Sequence, residues 1–259
     1  MEPYKQFQPK GTPHHGAMQI YFSVISDLDK QVGRLIKRLD ELGLAENTIV
    51  VFTSDNGPEH IGQPDGQSSH SGVGSSGPFR GHKHGVYEGG IRMPFIVRWP
   101  GHTPEGKVDD TTILSGTDWL PTLCALTGSK LPTDILLDGE DMSKAFQGKS
   151  QTRKNPLMWE ARYRSAWVPL NVAPQLAIRD GKWKLLMNQD RSHLELHDLS
   201  IDPSEVDNLA DTNPQVVARL SRQLLEWRQS LDNRPIAPDV QNFIQHTPAP
   251  YPWPKEAGK

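Results

Sequence analysis

The chain has 259 residues, enough to bury a hydrophobic core, with 28 basic and 31 acidic side chains and a formal net charge of −3. This balance provides no strongly basic surface for nucleic acid or an anionic membrane, and no apolar run approaches the roughly 18 residues of a membrane span. A single cysteine excludes an internal disulfide bond, and the polar N-terminus is unlike a signal peptide, so the localisation is not assigned.

The first predicted elements are a long helix and a strand that ends in polar residues. Apolar residues recur at helical spacing over 17–42, and Gly43 follows as a stop signal. The apolar run over 48–53 then predicts a parallel strand covered on both faces. It leads into Asp55 and Asn56, at the end of a strand where α/β sheets usually bind ligands.

A long loop separates this strand from the next elements. Residues 57–90 show no helix or strand periodicity, and a loop of that length in a compact domain is usually functional or disordered. A second strand is predicted over 94–99 and a short helix over 118–126. Helix, strand, loop, strand and helix in this order indicate an α/β domain.

The second half of the chain predicts a small antiparallel unit. Apolar runs flank Asp180-Gly181, which is a strong hairpin pattern, and a third strand follows over 194–199. Pro214 begins a last amphipathic helix. We therefore predict an α/β domain over 1–156, a small α+β subdomain over 157–232 and a Pro-rich tail over 233–259.

Two groups of polar residues are candidates for chemistry, and each has a structural alternative. Asp55 and Asn56 offer the oxygen ligands that Ca²⁺ or Mg²⁺ prefers, but Asp-Asn-Gly is also a good turn sequence. A cationic group follows and could hold a tetrahedral dianion, or could be a solvated basic loop. Its members are Arg80, His82, Lys83, His84 and Arg92.

Two other features are predicted to be structural. Cys124 lies in the middle of the short helix and is predicted to be a small buried apolar residue. His14 and His15 are predicted to be a loop pair rather than ligands or acids.

The chain resembles the sulfatase family of the alkaline phosphatase superfamily, through motifs that follow one another in the family order over residues 17–232. The motifs are Asp-x-x-Val-Gly-Arg-Leu at 29–35, Ile-Val-Val-Phe-Thr-Ser-Asp-Asn-Gly at 49–57, Gly-Pro-Phe-Arg-Gly-His-Lys at 77–83, Tyr-Glu-Gly-Gly-Ile-Arg-x-Pro at 87–94, Trp-Pro-Gly at 99–101, Asp-Trp-Leu-Pro-Thr-Leu at 118–123, Leu-Asp-Gly at 137–139 and Asp-Leu-x-x-Asp-Pro-x-Glu-x-x-Asn-Leu at 198–209. Each motif alone is weak, but their shared order and spacing are specific.

The resemblance implies a fold and a set of roles. The fold would be a partial alkaline-phosphatase-like α/β sheet domain followed by a small α+β subdomain with an antiparallel sheet and a C-terminal helix. Asp55 and Asn56 would be two ligands of a Ca²⁺ ion, with Mg²⁺ as the alternative. Lys83 would contact the sulfate oxygens, and the neighbouring Arg80 and His82 would bind substrate.

Ser76 is the one residue that matches the family's nucleophile pattern, Cys/Ser-x-Pro-x-Arg. Family enzymes convert that residue to formylglycine, but there it lies upstream of the Asp-Asn pair, whereas Ser76 follows Asp55 and Asn56. Phe79 and the Gly-His-Lys that ends at Lys83 also depart from the pattern. We interpret Ser76 as a chance match, so the formylglycine expected in a parent enzyme is absent here.

The expected function is therefore that of a sulfatase portion whose parent hydrolyses sulfate esters, including sulfated glycans, while this chain alone gives no turnover. A phosphoester hydrolase of the same superfamily and a non-catalytic binding module are the alternatives. Family parents are typically exported. An exposed edge of the strand over 48–53 would favour self-association, so a homo-oligomer or a missing N-terminal half is expected as partner.

Overall fold

The structure is a computed structural model that describes residues 17–59, 74–161 and 174–231. His14, His15 and the tail over 233–259 lie outside the described residues. The helices are α1 (Ala17–Glu41), α2 (Glu88–Ile91), α3 (Trp119–Thr127), α4 (Ser143–Phe146) and α5 (Pro214–Ser230). The strands are β1 (Val50–Thr53), β2 (Phe95–Arg98), β3 (Leu157–Glu160), β4 (Leu176–Asp180), β5 (Trp183–Met187) and β6 (Glu195–Asp198).

Helix α1 confirms the predicted long helix. It ends as expected, because Gly43 adopts a left-handed φ of 66° and the N–H of Leu44 donates to the Leu39 carbonyl. Gly33 lies inside α1, and a Cβ there would meet nothing within 4 Å in the described part of the chain.

Strands β1 and β2 form a two-stranded sheet, and the prediction of a parallel strand covered on both faces is wrong. β1 pairs with β2 in antiparallel register, with Phe52 opposite Ile96. Phe52 is 42% exposed and Ile96 59% exposed. An apolar run indicates a strand, but carries no information on the direction of its partner or on what covers its faces.

The four-stranded sheet confirms the predicted α+β subdomain. Its order is β3-β4-β5-β6, and the hairpin between β4 and β5 turns at Gly181, whose φ is 58°. Helix α5 covers one face of this sheet, where apolar side chains form a continuous core. Its fully buried members are Leu176, Ile178, Leu185, Met187, Leu196, Leu220 and Leu224.

A buried aspartate organises the start of helix α3. Asp118 accepts hydrogen bonds from the N–H groups of Ser115 (2.7 Å) and Glu140 (2.9 Å), and forms a bidentate ion pair with Arg153. Glu140 directly follows the Leu-Asp-Gly motif, and a Cβ on Gly139 of that motif would collide with the Thr117 carbonyl, so this motif and Asp-Trp-Leu-Pro-Thr-Leu lie close together here. Cys124 on the same helix is half-buried rather than buried, because its part of α3 reaches the surface.

The described residues form two compact units that are interleaved in sequence. One contains the chain up to Leu28, Asp55–Met93 and the chain from Met158 onward, and the other contains Asp29–Ser54 and Pro94–Leu157. The division of the chain at 156 and 232 stays a prediction. Within the described residues, every helix is too short or too polar to cross a membrane.

Candidate active site

The segment that follows β1 carries the two predicted metal ligands. Asp55 is exposed and Asn56 is half-buried, while Gly57 next to them is buried. The Gly57 N–H donates to the Gly90 carbonyl of α2 at 2.9 Å. A Cβ on Gly57 would collide with the Gly89 carbonyl, so glycine is required here by close backbone approach.

Lys83 lies on a backbone segment that is bonded to the same stretch of chain. Its N–H donates to the Pro58 carbonyl at 3.1 Å, three residues after Asp55. Its ammonium group is 3.3 Å from the Glu59 carboxylate, and both side chains are about one-third exposed. These backbone contacts bring the segments of Asp55, Asn56 and Lys83 together, although they are 27 residues apart in sequence at the nearest.

His84, which follows Lys83, has an unusual backbone conformation. Its φ is 75°, in the left-handed region that a residue with a side chain rarely adopts. Its Nε2 lies 3.9 Å from the same Glu59 carboxylate. Lys83 and His84 therefore both face one acidic side chain.

Arg80 makes internal contacts that give it a structural role. Its Nη1 donates to Glu195 Oε2 at 2.8 Å and to the Glu205 carbonyl at 3.1 Å. The guanidinium group also lies 3.9 Å from the centre of the Tyr87 ring. These contacts tie the loop to β6 and to the segment after it, and a substrate-binding role for Arg80 stays a prediction.

The remaining predicted residues of this loop are placed by backbone packing. His82 is half-buried, and its carbonyl lies where a Cβ on Gly90 would be. The Ser76 hydroxyl donates to the Phe79 carbonyl at 2.8 Å, so in this structure it closes a turn. Substrate binding by His82, and the exclusion of Ser76 as nucleophile, stay predictions.

The Tyr-Glu-Gly-Gly motif leads into a short helix, α2. Its two glycines have no left-handed φ, but a Cβ on Gly89 would collide with the carbonyl oxygens of the 79–81 segment. The Gly89 N–H donates to the Arg80 carbonyl at 2.7 Å. Close packing of three backbone segments therefore requires glycine here.

Sequence reasoning missed a buried ion cluster beneath α2. The Lys184 ammonium group lies 2.9 Å from Glu88 Oε1 and 2.8 Å from Glu205 Oε1, and none of the three side chains is more than 2% exposed. Glu205 Oε2 also accepts the Glu88 N–H at 2.6 Å. Glu88 and Glu205 belong to two of the recognised motifs, but Lys184 does not. A lysine flanked by large apolar residues in a predicted hairpin could have indicated a buried charge.

The two carboxylates of this cluster have opposite pKa shifts. Burial alone would raise the pKa of Glu88, but the positive charges of Lys184 and Arg179 outweigh it, and the net pKa is lowered. Burial raises the pKa of Glu205, and Lys184 offsets only part of that rise. Arg92 adds a further cation 3.5 Å from Glu88.

A second buried network joins the same loop to β6. Burial opposes ionisation of Glu195, but hydrogen bonding from His197 and the charge of Arg80 lower its pKa below the usual value. Burial, followed by the charge of Glu195, raises the pKa of Tyr87, whose hydroxyl donates to Glu195 at 2.7 Å. Tyr87 is therefore a hydrogen-bond donor at ordinary pH.

The donor set of Asp55 and Asn56 fits a hard cation in type but not in number. Carboxylate and amide oxygens suit Ca²⁺ or Mg²⁺, which need six or more oxygen ligands in all. Within residues 17–59, 74–161 and 174–231, no group of three or more His, Cys, Asp or Glu side chains could hold a metal ion. Asp55 and Asn56 would account for two of the oxygen ligands that such an ion needs.

Comparisons with protein families match most of the chain. The Sulfatase family profile matches residues 1–129, and the profile described as N-sulphoglucosamine sulphohydrolase, C-terminal, matches residues 78–230. An N-acetylgalactosamine-6-O-sulfatase of Bacteroides thetaiotaomicron is 35% identical over 78% of this chain and 40% of its own length. Human arylsulfatase A is 33% identical over 88% of this chain and 47% of its own length.

Solved structures give the same result. Ps i-CgsB, solved in complex with k-i-k-neocarrahexaose, matches with a TM-score of 0.70 and 26% identity over 87% of this chain and 45% of that one. A structure from work on the metabolism of multiple glycosaminoglycans by Bacteroides thetaiotaomicron matches with a TM-score of 0.62 and 33% identity over 78% of this chain and 43% of that one.

The mixed α/β domain and the small antiparallel subdomain define an alkaline-phosphatase-like protein, as predicted. The chain belongs to the sulfatase family. It spans less than half the length of the curated relatives described above.

Proposed function

We propose that this chain carries part of the active site of a sulfuric ester hydrolase, which converts a sulfate monoester and water into an alcohol and hydrogen sulfate. Membership of the sulfatase family supports this reaction class over a phosphoester hydrolase. The single observation that carries the proposal is the hydrogen bond from the Lys83 N–H to the Pro58 carbonyl, because it joins the segment of the cationic Lys83 to the segment of the proposed oxygen ligands Asp55 and Asn56.

In this proposal each residue has a distinct task. Asp55 and Asn56 would hold Ca²⁺, or Mg²⁺ as the alternative, and the metal would supply positive charge for the sulfate oxygens. Lys83 would bind the sulfate group through its ammonium protons and offset the negative charge that grows on the oxygens. Arg80 and His82 would keep the Lys83 segment in position, and either could extend the binding surface for substrate.

Glu59 marks where an anion could contact Lys83. Its carboxylate lies 3.3 Å from the Lys83 ammonium group and 3.9 Å from the His84 ring, in a partly exposed setting. A bound sulfate group would take the place of this carboxylate. Because surface ion pairs are weak, with a typical stabilisation of about 0–1 kcal/mol, such an exchange requires little energy.

The proposed substrate is a sulfated saccharide. Two matched structures support this proposal, one solved with k-i-k-neocarrahexaose and one from work on glycosaminoglycan metabolism. Typical members of the family are exported, but the localisation of this chain stays unassigned.

The first test is sulfate binding by the purified chain. It is measured by NMR during titration with sodium sulfate at constant ionic strength. We expect saturable shifts at the amides around Lys83, and about tenfold weaker binding in Lys83→Met, since a hydrogen bond to a charged group contributes about 1.5–3 kcal/mol. Lys37→Met is the matched control, because Lys37 is an exposed lysine on α1. Glu59→Gln should bind sulfate a few-fold more tightly, since the competing carboxylate is removed.

Wild-type chain without saturable shifts, or Lys83→Met with unchanged affinity, would contradict the proposal.

The second test is turnover of an aryl sulfate. We expect none from this chain alone. Turnover that Ser76→Ala abolishes would show that Ser76 is a nucleophile after all.

A further inference from the structure

Helix α2 is the element to which both halves of the candidate site are bonded. Its Gly90 carbonyl accepts from the Gly57 N–H, directly after the Asp55-Asn56 pair. Its Gly89 N–H donates to the Arg80 carbonyl, three residues before Lys83. A movement of α2 would therefore move both segments.

Three buried side chains hold α2 in place from below. The Glu205 carboxylate accepts the Glu88 N–H at the first residue of α2, at 2.6 Å. The Lys184 ammonium group then bridges Glu88 (2.9 Å) and Glu205 (2.8 Å). Lys184 is fully buried at the second position of β5, opposite Arg179 on β4 and His197 on β6.

Lys184 is the member of this cluster on which the others depend. Two carboxylates that share a buried site repel each other, and a cation between them is needed for both to be ionised at close range. A buried ion pair adds little stability compared with well-packed apolar residues, but its directional bonds fix one arrangement of the segments that it joins. The cluster is therefore suited to setting a position.

We propose that Lys184 is the positioning residue of the candidate site, acting through Glu88, Glu205 and α2 on the spacing between the Asp55-Asn56 pair and Lys83. The residue itself contacts neither substrate nor metal in this proposal. The catalytic purpose of that spacing rests on the proposed function, whereas the mechanical link can be measured without it.

The experiment is amide hydrogen exchange by NMR on the full chain carrying Lys184→Met, which keeps a long linear side chain without the charge. The reporter amides are those of Gly57, Lys83 and Gly89, which make the three hydrogen bonds around α2. The reference amides are those of Leu196 and Leu209, which are hydrogen-bonded elsewhere in the same compact unit. We expect exchange protection at the reporter amides to fall about tenfold relative to the reference amides.

Lys182→Met is the matched control from the same hairpin. Its ammonium group pairs with Asp198 at 2.6 Å, and its side chain is half exposed. This variant should change protection at the reporter amides by less than about twofold. Equal loss of protection at reporter and reference amides in Lys184→Met, or no loss at either, would overturn the proposal.

Glu205→Gln is the second variant and decides the matter if Lys184→Met does not fold. It removes the charge that faces Lys184 but leaves an oxygen that can accept the Glu88 N–H. We expect the same selective loss at the reporter amides, and a pattern identical to wild type would contradict the proposal.

Sulfate titration of the same samples separates this inference from the proposed function. Lys184→Met, or Glu205→Gln in its place, should bind sulfate about fivefold more weakly than Lys182→Met, a change of about 1 kcal/mol. Selective loss of protection with unchanged sulfate affinity would remove the positioning role. If the variants show the expected exchange pattern but the wild-type chain never binds sulfate, the result would instead contradict the proposed function and leave the link through α2 intact.

Discussion

The two sheets of this chain use similar apolar sequences with opposite results. In the β3–β6 sheet, Leu185 and Leu196 are fully buried under α5. In the β1–β2 sheet, the cross-strand pair Phe52 and Ile96 is 42% and 59% exposed. The difference shows that strand-forming residues fix local structure, whereas the free energy of folding depends on what covers them.

The largest expected effect contrasts one apolar residue from each sheet. Leu185→Ala should lower the free energy of unfolding by about 2–5 kcal/mol, because it leaves a cavity in a closed core. Ile96→Ala should change it by no more than about 0.5 kcal/mol, because the side chain is mostly solvated already. Urea denaturation of both variants tests this, and equal losses would remove the contrast between the sheets.

A second prediction uses acid to probe the buried ion cluster beneath α2. The pKa of Glu88 is lower in the folded chain than its usual value of 4.5, so the unfolded state takes up protons first as the pH falls. The stability that this ionised carboxylate contributes is present above pH 4.5 and is lost as the pH falls towards the folded pKa. The pKa of Glu195 is also lowered in the folded chain, so its contribution to stability is likewise lost as the pH falls. The pKa of Glu205 is raised, so its contribution is present at lower pH and is lost as the pH rises.

The measurement is thermal unfolding of wild type and Glu88→Gln between about pH 6 and about pH 4. Wild type should lose more stability over this interval than the variant, because only wild type carries the carboxylate whose pKa is lowered in the folded chain. Glu105→Gln, at an exposed position, is the control and should follow wild type. A steeper loss in Glu88→Gln would reverse the assigned sign.

The smallest effect on folding is expected in the exposed β1–β2 sheet. Ile96→Lys should reduce self-association in sedimentation velocity, because a charge on a small exposed sheet opposes pairing between copies. Val108→Lys is the control, since Val108 is 81% exposed outside the strands. The free energy of unfolding should shift by no more than about 0.5 kcal/mol in either. A wild type that is already monomeric at high concentration would contradict the expected homo-oligomer.

How far the sequence could predict this structure differs between elements. Gly43, Gly181 and Pro214 carry strong local preferences, and the helix stop, hairpin turn and helix start all occur where they were predicted. The antiparallel partner of β1 could not be predicted in this way, because the paired residues lie far apart in sequence, from Thr53 with Phe95 to Val50 with Arg98.

The candidate site also combines features that the sequence could predict with features that it could not. The Asp55-Asn56 pair and Lys83 were identified as candidates through motifs, but the structural role of other motif residues was not predicted. Glu88 and Glu205 were recognised as parts of motifs, but the lysine that joins them, Lys184, lies in an ordinary hairpin sequence. Burial of a charged residue becomes visible only when the tertiary contacts are known.

The ion cluster under α2 has a practical consequence for protein engineering. A designer who grafts the 79–92 loop from another family member onto this chain would transplant one carboxylate without its counterparts. Compatible side chains at 184 and 205 must be introduced together with the loop. Positions 88, 184 and 205 are in direct contact and must match one another, although they are spread over more than a hundred residues.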